Sequence, residues 1–153
     1  MSAAIGVTND QIVLRLEDMT GLIPSQAFNP EGTRLAAACY DEEVIRVWDP
    51  VTGRPLFKHN LATPVTSVSF TLHDGQRLAG TGLDGLVRLW DADTGQNALT
   101  LRGLGARGSG HWDFTPRVVF SPDGRRLAAN DWDGTVTIWD AGEQWPASRA
   151  QHP

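Results

Sequence analysis

Several features that would place a chain in a special class are scarce in this sequence. There is a single cysteine, Cys39, so no disulfide can form within the chain. Its position in the run LAAACY is typical of a small buried apolar residue. No apolar run approaches the roughly 18–20 residues that a membrane-spanning helix needs. The N-terminus has neither a basic start nor a long apolar segment, so we expect no secretory signal and, by default, a cytoplasmic protein.

Basic charge is also in deficit, since the net charge is −5 at pH 7. Sequence-independent binding to nucleic acid needs a basic surface, so this balance argues against a nucleic-acid partner. A membrane partner is not expected either. The hydrophobic content of 41% and charged content of 20% are those of an ordinary globular protein. A chain of 153 residues is long enough to bury a core.

Signatures of catalysis are missing as well. The histidines fall in different parts of the chain without H-x-x-x-H spacing, and neither a G-x-S-x-G elbow nor a Walker-type loop occurs. The stretch 103–108, GLGARG, matches G-x-G-x-x-G but is not followed by a helix pattern, so it does not predict a dinucleotide site. We interpret it as an insertion. The sequence therefore predicts no catalytic residue, no metal and no cofactor, and hence a protein that is not an enzyme.

The most informative stretch is 118–140, VVFSPDGRRLAANDWDGTVTIWD. It predicts three short β-strands, because runs of β-branched and aromatic residues alternate with tight turns. In the turn 121–124, SPDG, proline fixes φ and glycine supplies a positive φ. Related stretches occur at 26–49 and 68–91. The chain is therefore a repeat protein.

The repeats have the length and strand content of propeller blades. Each third strand ends at a tryptophan, Trp48, Trp90 or Trp139, which gives spacings of 42 and then 49 residues. A period near 40–45 with four strands per unit is typical of a β-propeller. The predicted fold is all-β. A loose arm covers 1–10, a repeat domain covers 11–142, and a tail covers 143–153. The repeats lie at about 22–60, 61–101 and 110–142, and they are preceded by an N-terminal strand over 11–16 that corresponds to the fourth strand of a repeat.

The recurring residues resemble WD40 repeats, in particular the arrays of bacterial multidomain proteins. The resemblance covers roughly residues 11–140 and implies four-stranded antiparallel blades that pack face to face. It rests on the SPDG turn, on Gly110-His111 and on the pairs that end the third strands. The positions that it makes structural are Asp41, Trp48, Asp49, Asp84, Trp90, Asp91, His111, Asp133, Trp139 and Asp140.

The resemblance also implies a hydrogen-bonded set of His, Ser/Thr, Asp and Trp in each blade, which this chain keeps only in part. The His position holds Met19 and Leu61 in the first two repeats, and only His111 fills it. The Ser/Thr position holds Cys39, Gly82 and Asp131. We therefore expect packing to provide most of the stability, with the aspartates of the turns acting as turn caps.

Three blades do not close a ring, because propellers typically have 4–8. The chain begins with the predicted fourth strand 11–16 and has no good fourth strand after 140, since the tail contains two prolines. In the family, such an offset lets the first strand complete the last blade. Two explanations stay open: a homo-oligomer, for example two chains with six blades, or a fragment of a longer array.

One rim of the blades has the composition of a contact surface. This rim contains the insertion around 103–108 and the residues that precede the turn aspartates. Several of these residues are Trp, Tyr or Arg, the types that dominate the binding energy of protein interfaces. Inward packing is the alternative interpretation for Trp112. The candidate partner-binding residues are Tyr40, Leu83, Arg107, Trp112 and Trp132.

The sequence thus predicts a non-enzymatic module that binds a protein or peptide. The alternatives are a regulatory or sensory fragment of a larger bacterial signalling enzyme, such as a kinase, and a truncated array without a function of its own.

Overall fold

The computed structural model describes residues 12–105 and 115–140. Within these ranges it contains eleven β-strands in three antiparallel sheets of four, four and three strands. The all-β prediction of propeller-type blades is confirmed. Blade 1 contains β1 (Ser25–Phe28), β2 (Leu35–Cys39), β3 (Val44–Trp48) and β4 (Pro55–Asn60); blade 2 contains β5 (Val65–Phe70), β6 (Arg77–Gly82), β7 (Val87–Asp91) and β8 (Asn97–Leu101); blade 3 contains β9 (Val118–Phe120), β10 (Arg126–Asn130) and β11 (Val136–Asp140).

The described ranges contain no helix that could cross a membrane. The predicted arm over 1–10 and the tail over 143–153 lie outside these ranges.

The tight turns follow directly from their residues. In blade 3 the hydroxyl of Ser121 donates to Asp123 at 2.6 Å and accepts from the backbone N–H of Arg126 at 2.9 Å. Gly124 has a φ of 71°, a conformation that costs glycine little. These contacts set the register in which Leu127 lies opposite Phe120 on β9 and opposite Trp139 on β11. All three side chains then face blade 2.

The blades pack face to face through two apolar clusters. Between blades 1 and 2, Ile45 and Val47 meet Phe70, Leu78 and Trp90. Between blades 2 and 3, a second cluster is formed by Ala79, Val87, Leu89, Val118, Phe120, Leu127 and Ala129. Burial of this kind stabilises the array by about 25 cal/mol per Å² of apolar surface.

Hydroxyl groups tie the inner strand of each blade to the next blade. Ser25 Oγ accepts from the N–H of Val68 at 3.1 Å, and Ser67 Oγ accepts from the N–H of Val118 at 3.2 Å. Since Ser25 and Ser67 are equivalent positions in successive repeats, the same contact joins both pairs of blades. The inner strands β1, β5 and β9 therefore lie side by side along one edge of the array.

Blade 3 has three strands, and residues 12–16, predicted as a fourth strand, form no strand in the structure. Instead, they cross the outer face of blade 1, where Leu14 and Leu16 lie near Gly53. The physical reason is that no free edge of a described strand lies beside them. Backbone groups without an adjacent strand cannot form a ladder.

The two outer faces of the array differ in exposure. On blade 1, Cys39 and Trp48 are 0% and 1% exposed. On blade 3, Val119, Val136 and Ile138 are 57%, 61% and 63% exposed. Val119 lies opposite Ala128, which in turn lies opposite Ile138, so the bare face of blade 3 is a continuous apolar row across its sheet.

Candidate partner-binding rim

The candidate rim is formed by the turns between the second and third strands, together with the connections between blades. Leu61, which follows β4, donates its N–H to the carbonyl of Glu43 at 2.9 Å. A Cβ placed at Gly85 would lie 2.9 Å from the carbonyl oxygen of Leu104, so the next connection lies against the turn of blade 2. Gly105 N–H reaches Asp131 Oδ2 at 3.4 Å. The turns and connections thus share one rim.

Three of the predicted partner-binding residues lie at the start of these turns, one in each blade. Tyr40 donates its N–H to the carbonyl of Leu22 at 3.0 Å, and Leu83 donates to that of Pro64 at 3.1 Å. The side chains of Tyr40, Leu83 and Trp132 are all partly exposed. The indole Nε1 of Trp132 is buried without a hydrogen-bond partner among the described residues. The backbone of Tyr40 and Leu83 is thus held by the preceding connection, while all three side chains remain partly accessible.

The other two predicted partner-binding residues, Arg107 and Trp112, lie outside the described ranges, as does the predicted structural residue His111. Their part in the rim stays a prediction. In the described part of the same connection, Arg102 is exposed.

Carboxylates organise the turns of blades 2 and 3. Asp84 accepts from the N–H of Leu86 at 3.1 Å and pairs with Arg88 at 2.6 Å. Asp133 accepts from the N–H of Thr135 at 2.9 Å. Hydrogen bonding with Asp131 and Thr135 lowers the pKa of Asp133 to about 2, so this carboxylate remains charged at neutral pH. Together with the exposed carboxylates of the other turns it gives the rim a negative character.

The turn of blade 1 contains one more residue than the equivalent turns. From Leu35 to Trp48 is 13 residues, whereas from Leu78 to Trp90 is 12, and each pair is opposite in its sheet. As a result, Asp41 accepts from the N–H of Leu22 at 2.7 Å, outside its own turn.

Glu42, which the sequence reasoning missed, takes the place of Asp84 and pairs with Arg46 at 2.9 Å, as Asp84 pairs with Arg88. Counting six residues back from each tryptophan would have found it.

Glu42 also anchors the segment that crosses the outer face of blade 1. Its Oε1 accepts from the N–H of Thr20 at 2.7 Å and from the Thr20 hydroxyl at 3.0 Å. Hydrogen bonds from Arg46 and Thr20 lower the pKa of Glu42 to about 2. Asp18 adds contacts to Arg46 at 3.4 Å and to Trp48 Nε1 at 3.3 Å. Blade 1 therefore holds residues 18–22 through charged groups.

In blade 1 two positions of the family's polar set do come together, but both hold sulfur-containing side chains. Met19 at the His position lies with its Sδ 2.8 Å from Sγ of Cys39 at the Ser/Thr position. Burial raises the pKa of the Cys39 thiol to about 11, so it stays protonated at neutral pH. A buried protonated thiol is a poor nucleophile.

The remaining structural aspartates follow the tryptophans and lie on the opposite rim. Asp49 accepts from the N–H of Val51 at 2.8 Å, and Asp91 accepts from that of Asp93 at 2.8 Å. Asp140 lies 3.6 Å from Arg126, and both side chains are exposed. Surface pairs of this type contribute little stability.

A cavity among the described residues lies away from the rim. A cavity of about 510 Å³ lies along the inner strands, where Ser25, Ser67 and Arg117 line it, and none of Tyr40, Leu83 and Trp132 takes part. No group of three or more His, Cys, Asp or Glu side chains within 12–105 and 115–140 could hold a metal ion. An acidic surface with partly exposed apolar side chains is suited to contact with another macromolecule.

The sequence repeats and blade geometry agree with comparisons to known proteins. The family described as WD domain, G-beta repeat, matches residues 53–91 and 107–140. These two stretches are WD40 repeats.

Two known proteins are similar in sequence to this chain over part of their length. COMPASS component SWD3 of Saccharomyces cerevisiae is 34% identical over 85 residues, which are 54% of this chain and 26% of the relative. Protein RBL of Arabidopsis thaliana is 34% identical over 79 residues, which are 50% of this chain and 14% of the relative. The matched stretches thus span about a quarter and a seventh of these two relatives, both of which are eukaryotic.

Proposed function

We propose that the chain is a non-enzymatic binding module that presents its rim to a protein or peptide partner. The observation that carries this proposal is the repeated placement of Tyr40, Leu83 and Trp132, one partly exposed apolar side chain at the same turn of each blade. Aromatic side chains are the ones that most often dominate binding energy at protein interfaces. The description of the yeast relative as a component of COMPASS fits a protein that works within an assembly.

The charge of the rim defines the partner further. Asp41, Glu43, Asp84 and Asp133 are exposed beside the apolar side chains. Complementary charge speeds association and selects the partner, so the best ligand is a segment with basic residues next to apolar ones. Binding of such a segment would weaken as salt is added.

Selection from a random peptide display library tests this proposal, with the full chain as bait. We expect enriched peptides that combine Lys or Arg with apolar residues. Trp132→Ala and Leu83→Ala should each weaken binding of an enriched peptide at least tenfold, and Asp84→Asn should reduce its salt dependence.

Leu72→Ala is the matched control, because Leu72 is 53% exposed but belongs to the turn between β5 and β6, on the opposite rim. Equal binding by all variants, or loss of binding only where the melting temperature also falls, would contradict the rim as the site.

A regulatory fragment of a larger protein is the second candidate. It is favoured by the small share of the relatives' length that this chain matches, 26% and 14%. Expression of the natural transcript, followed by measurement of the mass of the mature protein, distinguishes the two. A mass near 16.6 kDa excludes the fragment.

A further inference from the structure

Two parts of the chain have the chemistry of a sheet that lacks its neighbour. At one end of the array, β11 pairs only with β10 among the described strands, so the outer edge of Val136–Trp139 has no described strand beside it. At the other end, residues 12–16 pair with no described strand, and Ile12 and Val13 are 61% and 93% exposed. Free strand edges and exposed apolar segments tend to pair with other chains.

Residues 12–22 occupy on blade 1 the place that β4 and its connection occupy on blade 2. The carbonyl of Leu22 accepts from Tyr40 just as the carbonyl of Pro64 accepts from Leu83, at the equivalent turn. A Cβ placed at Gly53 would lie 3.4 Å from Leu14, and one placed at the equivalent Gly95 would lie 2.6 Å from Phe57 of β4. The segment thus lies where a fourth strand belongs, and the described residues hold no other strand of that blade.

The contacts at Gly53 and Gly95 predict a register, with one residue more between Leu14 and Leu22 than between Phe57 and Pro64. Leu14 corresponds to Phe57, which lies opposite Val47 of β3. Ile138 holds the place of Val47 in blade 3, as the positions relative to Trp48 and Trp139 show. In a joint of the same geometry, Leu14 lies opposite Ile138, Arg15 opposite Thr137 and Leu16 opposite Val136. The apolar side chains then share one face, as a buried sheet requires.

We propose that a second copy of this chain supplies the missing strands: the segment 12–16 of one copy adds to the edge of β11 of the other and completes its third blade. The bare face of blade 3 would then pack on blade 1 of the copy that supplied the segment. Residues Ala128, Val136 and Ile138 correspond to Ala79, Val87 and Leu89 of blade 2, which are buried against blade 3. The bare face of blade 3 therefore has the same kind of residues as the face of blade 2 that packs on blade 3.

In a dimer this contact forms twice, because each copy adds its segment 12–16 to β11 of the other. Because the contact is head-to-tail, it closes only if the rotation between copies completes a circle. Three blades from each copy give six, which lies within the range of closed propellers. The proposal does not depend on what the rim binds.

Disulfide trapping tests the register directly. The variant Arg15→Cys/Thr137→Cys places cysteines at a predicted cross-strand pair, where Cβ atoms are about 4.5–5.5 Å apart. The matched control Arg15→Cys/Ile138→Cys is shifted by one residue, which sends the two side chains to opposite faces. Cys39 stays in place, since it is buried and its thiol is protonated.

We expect the first variant to form a covalent dimer under mild oxidation, with at least a tenfold higher yield than the control. Light scattering on the unmodified chain should give twice the mass of 16.6 kDa at concentrations well above micromolar. Ile138→Lys should convert the dimer to monomer, while Val51→Lys, at an exposed site on the turn between β3 and β4, should leave it intact. A monomer in the unmodified chain, or equal cross-linking in the two double variants, would overturn the proposal.

Discussion

The outer faces of blade 1 and blade 3 are opposite faces of equivalent strands. The face of blade 1 is buried, whereas the face of blade 3 is exposed. Trp48 of blade 1 is covered by residues 12–22. Glu42 and Asp41 of the blade hold this segment, and Asp18 of the segment accepts a hydrogen bond from Trp48. Ile138 of blade 3 faces solvent. The difference teaches that the burial of a blade face is decided by the chain that lies next to the repeat. The repeat's own strand pattern does not decide it.

The largest expected effect comes from removing one large side chain from each face. Trp48→Ala should lower the free energy of unfolding by about 3–5 kcal/mol, because a buried tryptophan leaves a cavity. Ile138→Ala should cost less than about 1 kcal/mol in the monomer, as is usual for exposed sites. Denaturant unfolding at low protein concentration measures both. Equal costs would mean that the two faces are covered to the same extent.

The pH dependence of the segment on blade 1 is the next contrast. The pKa of Glu42 is lowered from 4.5 to about 2, so the folded form binds its proton less readily than the unfolded chain. The contribution of Glu42 to stability is therefore fully present above about pH 4.5 and is lost as the pH falls toward 2.

We expect the amide proton of Thr20 to titrate in an NMR experiment with a midpoint near 2, and not to titrate in Glu42→Gln. A midpoint near 4.5 would show that Glu42 does not hold the segment in solution.

The same contrast explains what the sequence could and could not predict. The strands and turns of each blade are local, so alternation of β-branched residues and turn residues such as SPDG were enough to locate them. The segment 12–16 has the composition of a strand, but a strand also needs an adjacent partner, and composition does not locate that partner. For this reason residues 12–16 form no strand in the structure, and with three described strands in blade 3 the source of its fourth strand stays a prediction.

Within the candidate rim, the residues at the turns were predictable because each keeps a fixed distance from a tryptophan. In blade 1 the one-residue insertion moves Tyr40 and Asp41 off that distance, so Asp41 was predicted at the place that Glu42 holds. The contacts of Asp18, Met19 and Thr20 with blade 1 join residues that are 20 to 30 positions apart. Such pairs depend on how the segment returns across the blade, which no local pattern encodes.

The smallest expected effect concerns the turn of blade 1, where Glu43 has a φ of 58°. Glycine stands at the equivalent positions of blades 2 and 3, Gly85 and Gly134, with φ of 74° and 87°. A residue with a Cβ is strained in this region, by about 1–3 kcal/mol, while glycine loses part of that gain through backbone entropy. Glu43→Gly should therefore stabilise the chain by about 1 kcal/mol or less, a rise of roughly 2–4 °C in Tm. Glu43→Ala removes the same charge but keeps the Cβ, so it should give no comparable gain. If the two variants stabilise equally, repulsion from the acidic turn, and not the backbone conformation, is what sets blade 1 apart.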